Sequence, residues 1–177
     1  MCILTKEDIR QRTKEKLNNM SDFERSFKSE LLVDDIIASG IVHHYASVML
    51  YMNMKNEVNL ERLIRYCISY GKKVYFPKVV GDEIYPVLFN GEFETGAYGI
   101  LEPKGEIEQN IYPKLVITPC LAVDKDNNRL GKGKGYYDRY FERAGECYKI
   151  AVAFREQLVD NIPITDNDVK MDKVYVR

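Results

Sequence analysis

The chain has 177 residues, 45% apolar and 30% charged, which fits one globular domain able to bury a core of its own. Its 26 basic and 27 acidic residues leave a net charge of −1, so there is no global basic field to hold nucleic acid or an anionic membrane. The four cysteines (2, 67, 120 and 147) form no C-x-x-C pair and stand beside only two histidines, which argues against a zinc site and for reduced thiols in a cytoplasmic setting. The start of the chain has no apolar signal-peptide core, and no apolar run reaches the ~18 residues of a membrane span.

Thr5-Lys-Glu-Asp8 reads as a capping box opening a charged helix that carries Lys6 and Arg10, and Ser21-Asp-Phe-Glu24 as a second box. The second helix is expected to turn Phe23, Phe27, Leu31 and Ile36 inward and to end near Gly40. Tyr45–Met52 is an apolar run that predicts a buried strand, with His43 and His44 before it as structural residues. Asn59 predicts the cap of a third helix, whose Leu60, Leu63, Ile64, Cys67 and Ile68 follow helical spacing up to Gly71. Lys73–Pro77 is the next strand, giving a strand–helix–strand unit and hence a parallel sheet. Glu83–Phe89 predicts a further strand. Gly91–Pro113 reads as a long surface segment, and Leu115–Thr118 as a strand ended by Pro119, with Leu121–Val123 as its extension. Gly135–Ala144 predicts a helix, Ile150–Phe154 a core strand and Lys173–Val176 an edge strand. The expected fold is a three-layer α/β/α sandwich with a mainly parallel central sheet, Rossmann-like, in a single domain over residues 1–177.

The stretch with most chemistry runs from Asp124 to Asp138. Gly131, Gly133 and Gly135 alternate with Lys132 and Lys134, with Arg129 and Leu130 just upstream and Tyr136-Tyr137-Asp138 just downstream. Glycines let backbone N–H groups approach an anion, a helix N-terminus behind the loop adds its positive end, and Arg and Lys clamp phosphate oxygens. Asp138 falls in the first turn of that helix, placed to hold Mg²⁺ against phosphates. The spacing is neither a Walker A loop nor G-x-G-x-x-G. G-K-G-K-G alone would equally suit a flexible, lysine-rich turn; its place between a strand and a helix favours a ligand loop.

The wider string R-L-G-x-G-x-G-Y-Y-D-R resembles the signature of the 5-formyltetrahydrofolate cyclo-ligase family, also called methenyltetrahydrofolate synthetases. Other segments resemble it in the same order: Lys6-x-x-x-Arg10, Tyr51–Asn59 with Glu57-Val58, Gly96-x-x-Gly99-Ile-x-Glu102-Pro103, Val116–Asp124, Ala153-Phe154-x-x-Gln157 and Asp168-x-x-x-Asp172. Two positions depart from the pattern. Asn128 stands where members often carry Gly, a substitution that a left-handed turn can accept, and Asn167 stands where many carry His.

The resemblance implies conversion of 5-formyltetrahydrofolate and MgATP to 5,10-methenyltetrahydrofolate, ADP and phosphate, and the expected protein is a cytoplasmic monomer with neither nucleic-acid nor membrane partners. It implies ATP contacts from Lys6, Arg10 and Arg129 through Tyr137, and Mg²⁺ ligation by Asp138 and Asp168. It implies folate contacts from Met52, Glu57 and the shared stretch Lys132, Gly133, Lys134, Gly135 and Tyr136. Arg129, Lys134 and Tyr136 are the implied catalytic residues. Taken singly, most of these have plainer readings. Lys6 and Arg10 suit a solvated helix face, Glu57 a helix N-terminal charge and Asp168 a capping box with Thr165. Met52, Tyr136 and Tyr137 suit a core. Cys120 is expected to be buried and inert. The competing functions are a regulator that binds a phosphorylated metabolite without turnover, and a nucleic-acid module built on the first helix. Glu7, Asp8 and Glu15, interleaved with that helix's basic residues, count against the latter.

Overall fold

The computed structural model describes residues 4–96, 99, 101–108 and 110–177. Cys2 and Ile100, both named above, lie outside the described residues. Helices α1 (Lys6–Asn19) and α2 (Asp22–Ala38) open on complete capping boxes at Thr5 and Ser21, so two orphan donors are satisfied at each start. Strand β1 (Ser47–Met49) leads into α3 (Glu61–Ser69), then β2 (Lys73–Val80) and β3 (Glu83–Leu88). A hairpin of β4 (Phe93–Thr95) and β5 (Leu101–Pro103) follows, then β6 (Leu115–Thr118). A ribbon of β7 (Ala122–Val123) and β8 (Arg129–Leu130) precedes α4 (Tyr136–Ala144), and β9 (Tyr148–Ala153) and β10 (Lys173–Val176) complete the chain.

The central sheet has six strands in the order β10-β9-β6-β1-β2-β3. All neighbours are parallel except β3, which returns antiparallel along β2. Residues alternate between faces, as a strand requires. Val48, Val74, Phe76, Leu115, Ile117, Ile150 and Val152 face α2 and α3. Met49, Tyr75, Val116, Ala151 and Ala153 face α4. Burial on both faces explains why these strands read as continuous apolar runs. This is the expected three-layer arrangement. The chain enters at β1, builds outward to β3, then crosses back to β6. The order therefore reverses between β1 and β6, and a crevice opens beyond their carboxyl ends, where open α/β sheets bind ligands.

Several local expectations are corrected. On α2, Phe23 and Phe27 are 78% and 52% exposed and Leu31 also faces out; Ile36 alone of the four is buried. The inward stripe is Arg25, Ser29, Leu32, Val33 and Ile36. Its polar members are satisfied: Arg25 donates to the Leu17 carbonyl and Ser29 Oγ accepts from the Asn59 N–H, so hydrogen bonding, rather than apolarity, admits them. Ile68 is exposed at the end of α3. Asn59 does accept from the Glu61 N–H at 2.8 Å, although Leu60 holds the cap position. The segment 91–113 contains the β4–β5 hairpin. Residues 122–123 leave the main sheet to pair with β8, so the strand entering the glycine loop belongs to that ribbon. In the turn between β7 and β8, the left-handed residue is Asn127 (φ 63°), not Asn128; the Asn128 amide instead donates to Asp124.

Candidate active site

The crevice holds a cavity of about 390 Å³. Tyr51, Met52, Met54 and Glu57, which follow β1, form one wall, and Pro119 and Cys120, just past β6, form its back. Pro77 and Val79 of β2, Ile84 of β3 and Leu101 and Glu102 of β5 close the far side. The remaining rim is the loop itself: Arg129, Gly131, Lys132, Lys134, Gly135, Tyr136, Tyr137 and Asp138. A mostly apolar pocket with a few convergent polar groups is the usual form of a small-molecule site.

The loop is held from both ends. Before it, Asp124 is 2% exposed and accepts four hydrogen bonds of 2.9–3.0 Å, from the Asp126, Asn128 and Ile162 N–H groups and the Asn128 amide. After it, Gly135 (φ 67°) takes the N-cap position of α4, and a Cβ there would meet Arg139 at 2.7 Å. Unlike α1 and α2, this helix has no side-chain cap, so its first N–H groups are left for another acceptor.

Apart from Lys6 and Asp168, the expected residues divide into three sets. Met52, Glu57, Arg129, Gly131, Lys132, Lys134, Gly135, Tyr136, Tyr137 and Asp138 line the cavity together. Glu57 and Lys132 meet across it at 2.6 Å, while the Glu57 second oxygen accepts from the Met54 N–H at 2.8 Å. Arg10 and Gly133 lie just outside: Arg10 Nε donates to the Gly131 carbonyl at 3.0 Å and its guanidinium rests against Gly133. Leu130 points the other way, into a small cluster with Ile9, Ala122 and Ile162, so only its backbone faces the loop.

Arg129 is buried, its side chain 3% exposed. One nitrogen donates to Asp138 Oδ1 at 3.1 Å, and the guanidinium lies 5.4 Å from the Tyr137 ring centre. Among the described residues its Nε has no acceptor. Asp138 Oδ1 also accepts from the Val169 N–H at 3.4 Å. Asp168 is next in sequence to Val169. Its Oδ2 accepts from Lys6 Nζ at 2.5 Å and from the Thr165 N–H and hydroxyl, so the capping-box geometry and the tie to Lys6 exist together. Burial opposes charge on Asp168, but the bonds from Lys6 and Thr165 prevail and hold its carboxyl below the usual range. Among the described residues Asp138 Oδ2 and Asp168 Oδ1 accept no hydrogen bond, which leaves one hard oxygen on each, the type of ligand that Mg²⁺ takes.

Burial, reinforced by the Glu57 charge, raises the Tyr51 and Tyr137 hydroxyls, so both stay neutral. Burial likewise pushes the Cys120 thiol up to about 12, which makes it the inert residue expected. The sequence reading missed the apolar walls and the acid among them: Tyr51, Pro77, Val79, Ile84, Leu101 and Pro119, with Glu102 only 5% exposed. The signal for Glu102 was its place in the Gly96-x-x-Gly99-Ile-x-Glu102-Pro103 string, although the segment around it read as surface.

Fold and crevice define an α/β enzyme class with a small-molecule site at the switch point of a parallel sheet. The family assignment is independent of that geometry. Residues 3–177 match the model of the 5-formyltetrahydrofolate cyclo-ligase family, and the chain belongs to that family. A mouse 5-formyltetrahydrofolate cyclo-ligase is 30% identical over 96% of this chain and 92% of its own. A fission-yeast (Schizosaccharomyces pombe) protein named as a probable cyclo-ligase is 36% identical over 71% and 72%. The solved structure of an Aquifex aeolicus 5,10-methenyltetrahydrofolate synthetase superposes with a TM-score of 0.85 at 30% identity, covering 98% of this chain and 90% of that one. Among the described residues no helix is long and apolar enough to cross a membrane.

Proposed function

We propose that this chain converts 5-formyltetrahydrofolate to 5,10-methenyltetrahydrofolate, with MgATP consumed and ADP and phosphate released. The observation that carries the reading is the 2.6 Å contact of Lys132 with Glu57. It joins the phosphate-type loop and the folate-side segment in one cavity, so two substrates can meet there.

The chemistry has a simple demand. An amide oxygen is a poor leaving group and a phosphate is a good one. The formyl oxygen takes the γ-phosphoryl group and ADP departs. N10 then attacks the activated carbon, the C–O bond breaks, phosphate leaves with the former formyl oxygen, and N10 loses its proton. Such a transfer needs positioning and charge neutralisation more than a covalent nucleophile. Lys132 and Lys134 on the rim, with the open N-terminus of α4, face the phosphates. Arg129 holds Asp138 in place, and Lys6 does the same for Asp168. These two carboxylates would hold Mg²⁺, which when bound neutralises phosphate charge. Glu57 gives up Lys132 to take N–H donors of the pteridine, and Tyr136, at the start of α4, lies beside the formyl group.

The test is stoichiometry. Purified protein is supplied with MgATP, with and without 5-formyltetrahydrofolate, and ADP and methenyl product are counted. The proposal expects ADP only when the folate is present, one for each methenyl group formed. MgATP binding with no ADP release in either case would identify a nucleotide-binding regulator instead.

A further inference from the structure

Glu102 is unassigned by the reading above. It sits in β5, opposite the Glu57 wall, 5% exposed, and lines the cavity among Pro77, Val79, Ile84 and Leu101. Its Oε1 accepts from the Val79 N–H at 3.1 Å. Val79 lies beyond the last β1–β2 residue pair, Met49 with Tyr75, so Glu102 takes a donor that β1 has left behind. Its other oxygen is seated against Gly96, where a Cβ would stand only 2.1 Å away. Gly96 and Glu102 of the G-x-x-G-I-x-E-P string therefore explain each other: the glycine is the cradle for the carboxylate.

The two cavity carboxylates are in different situations. Glu57 spends its oxygens on Lys132 and the Met54 N–H. Glu102, among the described residues, has one backbone donor and no cation partner. A buried carboxylate that draws one hydrogen bond from the described residues is costly unless further donors reach it. A ligand bearing N–H donors relieves that cost, and one bearing acceptors in their place does not.

We propose that Glu102 is a specificity-determining residue that accepts a hydrogen bond from the N–H-rich pteridine of the folate, and that the Gly96 cradle aims it. This rests on the folate reading of the cavity. The alternative is a pure staple, in which Glu102 only fastens the hairpin to β2.

Glu102→Gln separates the two roles. Its amide oxygen can still accept from Val79, but its other arm becomes a donor and faces donors on the ligand. KM for 5-formyltetrahydrofolate should rise about tenfold or more, as expected for loss of one charge-assisted bond, while KM for MgATP and the melting temperature stay at parental values. Gly96→Ala, which displaces the carboxylate without changing its charge, should shift the folate KM in the same direction. A Glu102→Gln folate KM within about twofold of the parent, well under the one-bond expectation, overturns the proposal. So does a variant whose melting temperature falls while both KM values rise together. Parental turnover is the internal control: a parent that forms no methenyl product overturns the function reading itself, and this inference with it.

Discussion

Replacing Asp124 by Ala should uncouple the glycine loop from the sheet without touching the cavity. The carboxylate is 2% exposed and accepts four hydrogen bonds, and the Ile162 N–H it satisfies belongs to a residue only 3% exposed. Removing the acceptor strands that N–H at about 1–3 kcal/mol, while the two loop N–H groups and the Asn128 amide, closer to solvent, recover part of their loss in water. Among the described residues Asp124 pairs with no cation, so relief of its own burial cost offsets some of this. The net expectation is about 3–5 kcal/mol, which for a domain of this size lowers the melting temperature by roughly 6–20 °C. Asp124→Asn keeps one acceptor and should lose about half as much. Thermal unfolding followed by circular dichroism, with and without MgATP, reads both. MgATP should protect the parent more than either variant, because the loop it would bind is no longer held. An Asp124→Ala melting temperature within about 2 °C of the parent, with equal protection by MgATP, would refute the reasoning.

Glu57→Gln should raise the KM for 5-formyltetrahydrofolate by about 10- to 100-fold, the value of a charge-assisted bond, and leave the KM for MgATP nearly unchanged in steady-state assays. Asp168 has a lowered carboxyl in the folded state against an ordinary value of 3.8, so its contribution to stability is fully present above that value and is lost as pH falls through the lower, folded one. Acid unfolding curves should therefore lose part of their slope below about pH 3.8 in a Lys6→Met variant, which leaves burial opposed only by Thr165 by removing the largest of the lowering contacts. Cys120 and Cys67, whose thiols are both pushed up to about 12 by burial, should resist alkylation in the native protein. Cys147, half-buried and only moderately raised, should react before either, as mass spectrometry of a timed iodoacetamide reaction would show.

Much of this architecture was legible because local chemistry and global fold agree. The capping boxes at Thr5 and Ser21 and the strand–helix–strand unit around α3 each follow from one rule applied to adjacent residues. The loop 129–138 was legible for the same reason: its glycines and cations are contiguous. What failed was non-local. On α2 two stripes satisfy helical spacing, and the hydrogen bonds from Arg25 to Leu17 and from Asn59 to Ser29 let the stripe with Leu32, Val33 and Ile36 face inward despite its polar members. The ribbon β7–β8 depends on Asp124 gathering donors from as far away as Ile162. Glu102 reaches the cavity because a hairpin folds back onto the edge of β2 that β1 leaves uncovered. The carboxylates Asp138 and Asp168 are 30 positions apart in the chain, and the Val169 N–H to Asp138 contact that links them belongs to the tertiary structure.

The most direct test follows absorbance in the methenyl-folate band while 5-formyltetrahydrofolate is mixed with the protein and MgATP, beside an Asp138→Ala control that retains its fold. The band should grow only when both ATP and Mg²⁺ are present, and the control should be slower by about 100-fold or more, as befits loss of a group that neutralises transition-state charge. A parent that binds MgATP but leaves the band flat, or an Asp138→Ala variant as fast as the parent, would contradict the account.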